Sequence, residues 1–194
     1  MAEEYAAPVD RPPAAGTRTR TIAMAALLAA LLAASAWITL PIGAVPVTLQ
    51  VFVVLLAGLV LSPGTAAASV GVYLLLGMAG LPVFSGGTGG LGALLGPTGG
   101  YLVGFFFAAA VVSSVRLRLG RFGAAQPLAD GLAMALGIAV IYAAGWAQLT
   151  LVTGMGWGPA FVAGVAPFVL LDAAKGVVAV GVASALRRAG VAAA

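Results

Sequence analysis

Lys175 is the only lysine of the chain, and it follows Asp172 by three residues inside an otherwise apolar run, Val169-Leu170-Leu171-Asp172-Ala173-Ala174-Lys175. At that spacing the two side chains share one face of a helix, where they can neutralise each other and together offer a polar ligand an acceptor and several donors. A charge near the middle of a membrane helix costs about 2.5–3.5 kcal/mol on insertion scales, so intramembrane ions are paired and commonly mark a site or pathway. The same two residues also suit a purely structural ion pair or a proton or sodium relay. Among the other side chains capable of polar chemistry within apolar segments, Thr48, Gln50, Thr98, Tyr101, Trp146 and Gln148 are the candidates.

The elements that must position them are membrane helices. Of 194 residues, 62% are hydrophobic and 7% charged, against about a quarter charged in ordinary soluble domains. Six apolar runs, at 21–40, 45–61, 65–79, 98–115, 127–152 and 159–186, approach the roughly 20 residues a helix needs to cross a hydrocarbon core. Proline and glycine separate most of them, at 41–46, 62–64, 80–97 and 154–159, and the arginine-bearing stretch 116–126 separates the fourth from the fifth. The expected fold class is therefore an all-α membrane protein of six transmembrane helices, with a disordered cytoplasmic tail at 1–17 and a transmembrane binding domain at 18–190.

Charge orients the bundle. With the amino end inside, Arg11, Arg18 and Arg20, then Arg116, Arg118 and Arg121, then Arg187 and Arg188 all fall on the cytoplasmic side, leaving the outer loops without Lys or Arg. Both termini are then cytoplasmic in a multi-pass protein of the inner membrane. This topology brings Gln50, Thr98, Tyr101, Trp146, Gln148, Asp172 and Lys175 towards the outer half, with Asp130 near the inner end of the fifth run. The first run, Ala-rich throughout and leading into Trp37 and Pro41, reads as a helix that stays in the protein.

The inventory excludes several functions. There is no cysteine and no histidine, hence no thiolate, no disulfide and no histidine-based metal or acid–base chemistry. No G-x-x-x-x-G-K-[ST] loop is present, so the chain has no P-loop for ATP hydrolysis, and no enzymatic activity or cofactor is expected. The formal net charge of +4 resides in arginines flanking apolar runs, where lipid headgroups account for it, and nucleic acid is not an expected partner. The segment 81–97 contains six glycines and no charge, which suits a loop folded as a lid over an apolar site. In the first run Ala25, Ala29 and Ala33 form one column of small residues, and Ala26, Ala30 and Ala34 the next. Such columns allow close helix approach in lipid, which makes Ala29, Ala30 and Ala33 candidates for docking another membrane protein.

The stretches Pro46-Val47-Thr48-Leu49-Gln50, Gly96-Pro97-Thr98-Gly99-Gly100-Tyr101-Leu102-Val103-Gly104-Phe105 and Pro167-Phe168, followed by Asp172 and Lys175, resemble the BioY family in residues and order. The resemblance implies a six-helix substrate-binding (S) component of an energy-coupling factor (ECF) transporter that captures biotin from outside and passes it to a coupling module of one transmembrane scaffold protein and two ABC-type ATPases. Carried onto this sequence, it implies substrate binding by Thr48, Gln50, Gly96, Thr98, Tyr101, Asp172 and Lys175; Trp146, in the outer half of the fifth run, completes the set of substrate-binding candidates. The ureido group of biotin carries two N–H donors and one carbonyl, which suit Asp172 and an ammonium or amide, while its rings and valeryl chain suit Trp37, Tyr73, Phe84, Tyr101 and Trp146. Lys175 suits the valerate carboxylate equally well. Family members often carry a polar or charged side chain in the lid, where this sequence offers only Thr88 and backbone groups between 86 and 95. Capture of another vitamin, or ion-coupled transport with Asp172 as the protonated group, are the alternatives.

Overall fold

The computed structural model describes residues 15–41 and 45–191; residues 1–14 of the tail expected to be disordered over 1–17, Arg11 among them, and the loop residues 42–44 lie outside the described residues, while residues 15–17 are helical rather than disordered. Eight helices are described: α1 (Ala15–Ser35), α2 (Gln50–Val60), α3 (Pro63–Met78), α4 (Leu91–Leu95), α5 (Gly99–Arg121), α6 (Gln126–Thr153), α7 (Trp157–Gly164) and α8 (Val169–Arg188). A two-residue hairpin, β1 (Thr39–Leu40) with β2 (Val47–Thr48), joins α1 to α2 and pairs Thr39 with Thr48. Among the described residues, four helices are long and apolar enough to cross a membrane, namely Arg18–Ser35 within α1, α5, α6 and α8.

Several boundaries differ from those expected. Helix α1 begins at Ala15, ahead of residue 21. Residues 45–49 do not open a helix, because Val47 and Thr48 bond back to β1. The arginine stretch after 115 continues α5 through Arg121, since Arg and Leu are good helix formers, and the helix ends only where Gly123 adopts φ +79°. The sixth run is two helices, α7 and α8, interrupted at 165–168 around Pro167.

Helix α2 explains the architecture. All its residues except Phe52 are buried, and it touches α1, α3, α5, α6 and α8, so it is the central post of the bundle. At 11 residues it is about 16 Å long and ends inside the protein, where its last carbonyls have no helical partner. Other helices supply the donors: Ser113 Oγ bonds Leu61 O at 2.6 Å, and Arg187 Nη1 bonds Leu59 O at 3.3 Å.

Helices α5 and α6 form the most extensive contact and run antiparallel. A methyl group added at Gly100 would strike the Ala144 carbonyl, at Gly104 it would press on Ile141, and at Gly137 it would strike Val112. The glycines let the two backbones approach closely, as small residues do in lipid. Gly100 and Gly104 thus serve internal packing, whereas Gly96, four residues before Gly100, lies outside any helix.

The bundle has two polar ends. At one, Arg187 pairs with the fully buried Asp130, whose other oxygen accepts from Gln126 Nε2 at 2.8 Å, and Arg20 donates to the carbonyls of Gly190 and Val191 beyond α8. Arg116 is also buried at this end. Substituting Asp130→Ala would leave buried arginine charge without its carboxylate, and loss of one partner from a buried pair costs about 3–5 kcal/mol. The variant is expected to unfold at clearly lower temperature in detergent. Gln126→Ala removes only one hydrogen bond, worth about 1 kcal/mol, and should shift the midpoint far less; equal shifts in a thermal unfolding assay would contradict this account.

Candidate substrate-binding site

At the opposite end the helices enclose a cavity of about 240 Å³. This lies near the lower limit of the roughly 300–1,000 Å³ typical of small-molecule sites. One wall is the hairpin exit and start of α2 (Val45 to Thr48, Gln50, Val51), and a second is the start of α5 (Thr98, Tyr101, Leu102, Phe105). Ile141 and Tyr142 of α6 and Phe168, Asp172 and Lys175 at the start of α8 complete the sides, and Phe84, Ser85, Thr88 and Ala93 cover it.

Its polar centre is a chain of hydrogen bonds across three elements. Lys175 Nζ donates to Asp172 Oδ1 and to the Thr48 carbonyl, both at 2.7 Å, and Tyr142 Oη donates to Asp172 Oδ2 at 2.7 Å. The side chains of Lys175 and Asp172 are only 15% and 4% exposed, so the pair needs these partners to offset its desolvation. The break at Pro167 starts α8 at Val169, placing Asp172 in the first turn, where a carboxylate is favoured by the helix dipole.

The cover is the segment expected to act as a lid. Phe84 is buried and meets Tyr73 edge-on, with ring centroids 5.5 Å apart, while Phe84 N bonds Thr88 O at 2.9 Å to close a small turn. Thr39 Oγ1 lies 3.3 Å from Ser85 Oγ, tying the hairpin to the cover. On the far side Gln148 Nε2 reaches from α6 to the carbonyls of Leu94 and Gly96, at 2.6 and 2.8 Å.

Of the residues expected in the site, Thr48, Gln50, Thr98, Tyr101, Asp172 and Lys175 line one cavity. Gln50 donates through Nε2 to Tyr73 Oη at 2.5 Å, and Tyr101 Oη donates to Gly164 O at 2.7 Å, fixing both side chains. Two residues lie elsewhere. Gly96 is held by Gln148 behind the cover, and Trp146 donates to the Trp157 carbonyl at 2.9 Å while packing edge-on against Trp157 and Phe161. Trp146 therefore fastens α7 to α6. Among the other aromatics considered, Phe84 lines the cavity, Tyr73 stands behind Gln50, and Trp37 is 63% exposed beside the cover.

Tyr142 was not foreseen. It is the only hydroxyl-bearing side chain between Asp130 and Trp146, a signal the sequence does contain. The alanine columns also separate. Ala29 is buried in the core and Ala33 is half-buried against it, whereas Ala26, Ala30 and Ala34 are exposed. Of the three docking candidates, only Ala30 lies on the open face, because neighbouring helix positions point about 100° apart.

An apolar helical bundle closed by a loop over an ion-paired cavity has the form of a membrane-embedded binding protein. Residues 7–191 match the BioY family, and the chain belongs to it. It is 40% identical to a probable biotin transporter BioY of Pyrococcus horikoshii over 170 residues, covering 88% of this chain and 98% of that protein. It is likewise 40% identical to the biotin transporter BioY of Thermotoga maritima over 169 residues, covering 87% and 96%. A crystal structure at 2.1 Å of the S-component for biotin from an ECF-type ABC transporter shares the fold, with a TM-score of 0.84, 25% identity and coverage of 90% of this chain and 94% of that one.

Gln148 carries the tie between α6 and the cover. Gln148→Ala is expected to raise amide hydrogen exchange over residues 91–99 by an order of magnitude or more, since two hydrogen bonds of about 1 kcal/mol each are lost, with little change in α5 beyond its first turn. Unchanged exchange in the cover would show that other contacts hold it.

Proposed function

We propose that this chain captures biotin as the substrate-binding component of an ECF-type transporter. The observation that carries this reading is the Thr48–Lys175–Asp172–Tyr142 network, which offers donors and an acceptor inside a cavity of a BioY-family chain whose lining carries no other charged side chain. A ureido group needs an acceptor for its N–H groups and a donor for its carbonyl, and the network supplies Asp172 for the first and Lys175, whose ammonium has a third N–H beyond those given to Asp172 and Thr48, for the second. The bicycle and valeryl chain then lie along Phe84, Leu102, Phe105 and Phe168. In the reverse orientation a substrate carboxylate would share Lys175 with Asp172, putting two anions on one ammonium in a desolvated site. The ureido group is therefore assigned to the α8 end.

The topology in this reading has six crossings, with α2 and α3 as short spans and α7 with α8 as the broken sixth. Both termini are cytoplasmic and the cavity faces outward. Arg20, Arg116 and Arg187 lie at the bundle end opposite the cavity, which supports that orientation through the positive-inside bias. The protein itself performs no catalysis. Energy comes from a coupling module of a membrane scaffold and two ATPases, docked on the Ala26, Ala30 and Ala34 face of α1.

Titrating purified protein with biotin, thiamine and riboflavin tests the substrate; biotin is expected to bind far more tightly than the other two, and comparable affinities would reject the assignment. Asp172→Asn and Lys175→Ala are each expected to weaken biotin by roughly a hundredfold, because a lost hydrogen bond to a charged group, with its partner left desolvated, costs about 3 kcal/mol. Binding equal to the parent in both would leave the pair a structural one.

Docking is tested separately. Ala30→Trp is expected to leave biotin affinity intact and abolish ATP-dependent uptake in vesicles containing the coupling module, since a bulky side chain blocks close helix approach. Ala29→Trp, directed into the core, should instead destabilise the isolated protein. Normal uptake by the Ala30 variant would exclude this face as the docking surface.

A further inference from the structure

Resting on the reading of the cavity as a biotin site, we infer that it recognises the ureido bicycle and is nearly indifferent to the charge of the valerate end, so that its substrate class includes neutral biotin amides and esters. The chain contains no Asp, Glu, Lys, Arg or His between Arg20 and Arg116, which removes every ionisable side chain of these types from the hairpin, α2, α3 and the whole cover. Between Arg121 and Arg187 the only cation is Lys175. Both of its protein hydrogen bonds, to Asp172 and Thr48, hold it at the α8 end of the cavity.

With the ureido group at that end, the carboxyl group lies towards the cover, and the polar lining apart from the ion-pair network is the uncharged set Gln50, Ser85, Thr88, Thr98 and Tyr101, of which Gln50 already donates to Tyr73 and Tyr101 to Gly164. Hydroxyl groups donate to a carboxylate oxygen or to an amide or ester carbonyl alike. The charges lining the cavity are one anion and one cation paired with each other, so they provide no net field that selects an anionic ligand. The remaining positive potential is that of helix amino termini at the cavity: that of α8, which already faces Asp172, that of α2, and that of α5. At α5, Gly99 N and Tyr101 N already bond the carbonyls of Gly96 and Thr98, so two of its terminal donors are engaged within the protein and do not face a ligand charge. Removing the ligand's charge also lowers its desolvation cost, which acts in the opposite direction.

The test uses the purified full chain in detergent and measures Kd for biotin, biotin methyl ester, the primary amide of biotin and a biotin blocked at a ureido nitrogen. Ester and amide are expected within tenfold of biotin, and the ureido-blocked compound at least a hundredfold weaker. If biotin binds tightly but ester and amide are each more than tenfold weaker, the carboxylate has a counter-charge and the inference fails while biotin capture stands. If biotin itself does not bind, the functional reading fails with it. A second variant places the missing charge: Thr88→Arg, at an exposed position of the cover with ordinary backbone angles, is expected to raise the preference for biotin over its methyl ester by tenfold or more. An unchanged preference would contradict the placement of the carboxyl end under the cover.

Discussion

A lysine and an aspartate buried in an apolar bundle constrain almost everything around them. Neither ion is tolerable there alone, and the pair still has hydrogen-bonding capacity that the protein must satisfy. Helix α8 supplies both charges, but the remaining partners come from other elements: the Thr48 carbonyl where the hairpin turns into α2, and the Tyr142 hydroxyl from α6. The hairpin matters for this reason. Had α2 begun at residue 45, the Thr48 carbonyl would be committed to a helical hydrogen bond; pairing Val47 and Thr48 with β1 delays the helix and leaves that oxygen for Lys175. The break at Pro167 likewise starts α8 just ahead of Asp172.

The opposite end solves the same electrostatic problem without forming a pocket. Asp130 is fully buried, but Arg187 and Gln126 occupy its oxygens, and Arg187 and Ser113 also serve the carbonyl end of α2. Most polar groups there are consumed in closing the bundle, although the buried Arg116 Nε has no hydrogen-bond partner. At the cavity end, side chains such as Thr98 and Thr88 stand along an enclosed space. Two clusters of buried charge therefore have different consequences, and the difference lies in packing: the glycines of α5 and α6 bring those helices into backbone contact, while the large residues Phe84, Phe105 and Phe168 hold the cavity walls apart.

The sequence made the ion pair legible because a lone lysine three residues from an aspartate has few explanations in an apolar run. It made the helical class and most segment cores legible through composition. Facing was not legible. Trp146 and Tyr142 are four residues apart on one side of α6, yet Tyr142 meets Asp172 and Trp146 is covered by α7, whose separation from α8 the apolar run did not reveal. Ala29 and Ala30 show the same limit, since either column could have faced the core until α2 and α3 were in place. The continuation of α5 through its arginines is hidden for another reason: charge at the end of an apolar run has the composition of a loop, although arginine is a good helix former and Arg116 is buried.

Helix α1 supplies none of the residues lining the cavity. Its inner face packs on α2 and α3, and its outer face presents alanines. A partner pressing on that outer face reaches the site only indirectly, through α2, the hairpin and the cover. Thr39 with Ser85 and the Thr48 carbonyl with Lys175 are the contacts through which displacement of this region would be felt at the site. Those contacts join the helix that lacks a binding role to the cover and to the ion pair. Docking and ligand recognition can thus occupy separate surfaces while sharing one mechanical connection, provided that the hairpin remains short enough to transmit the movement.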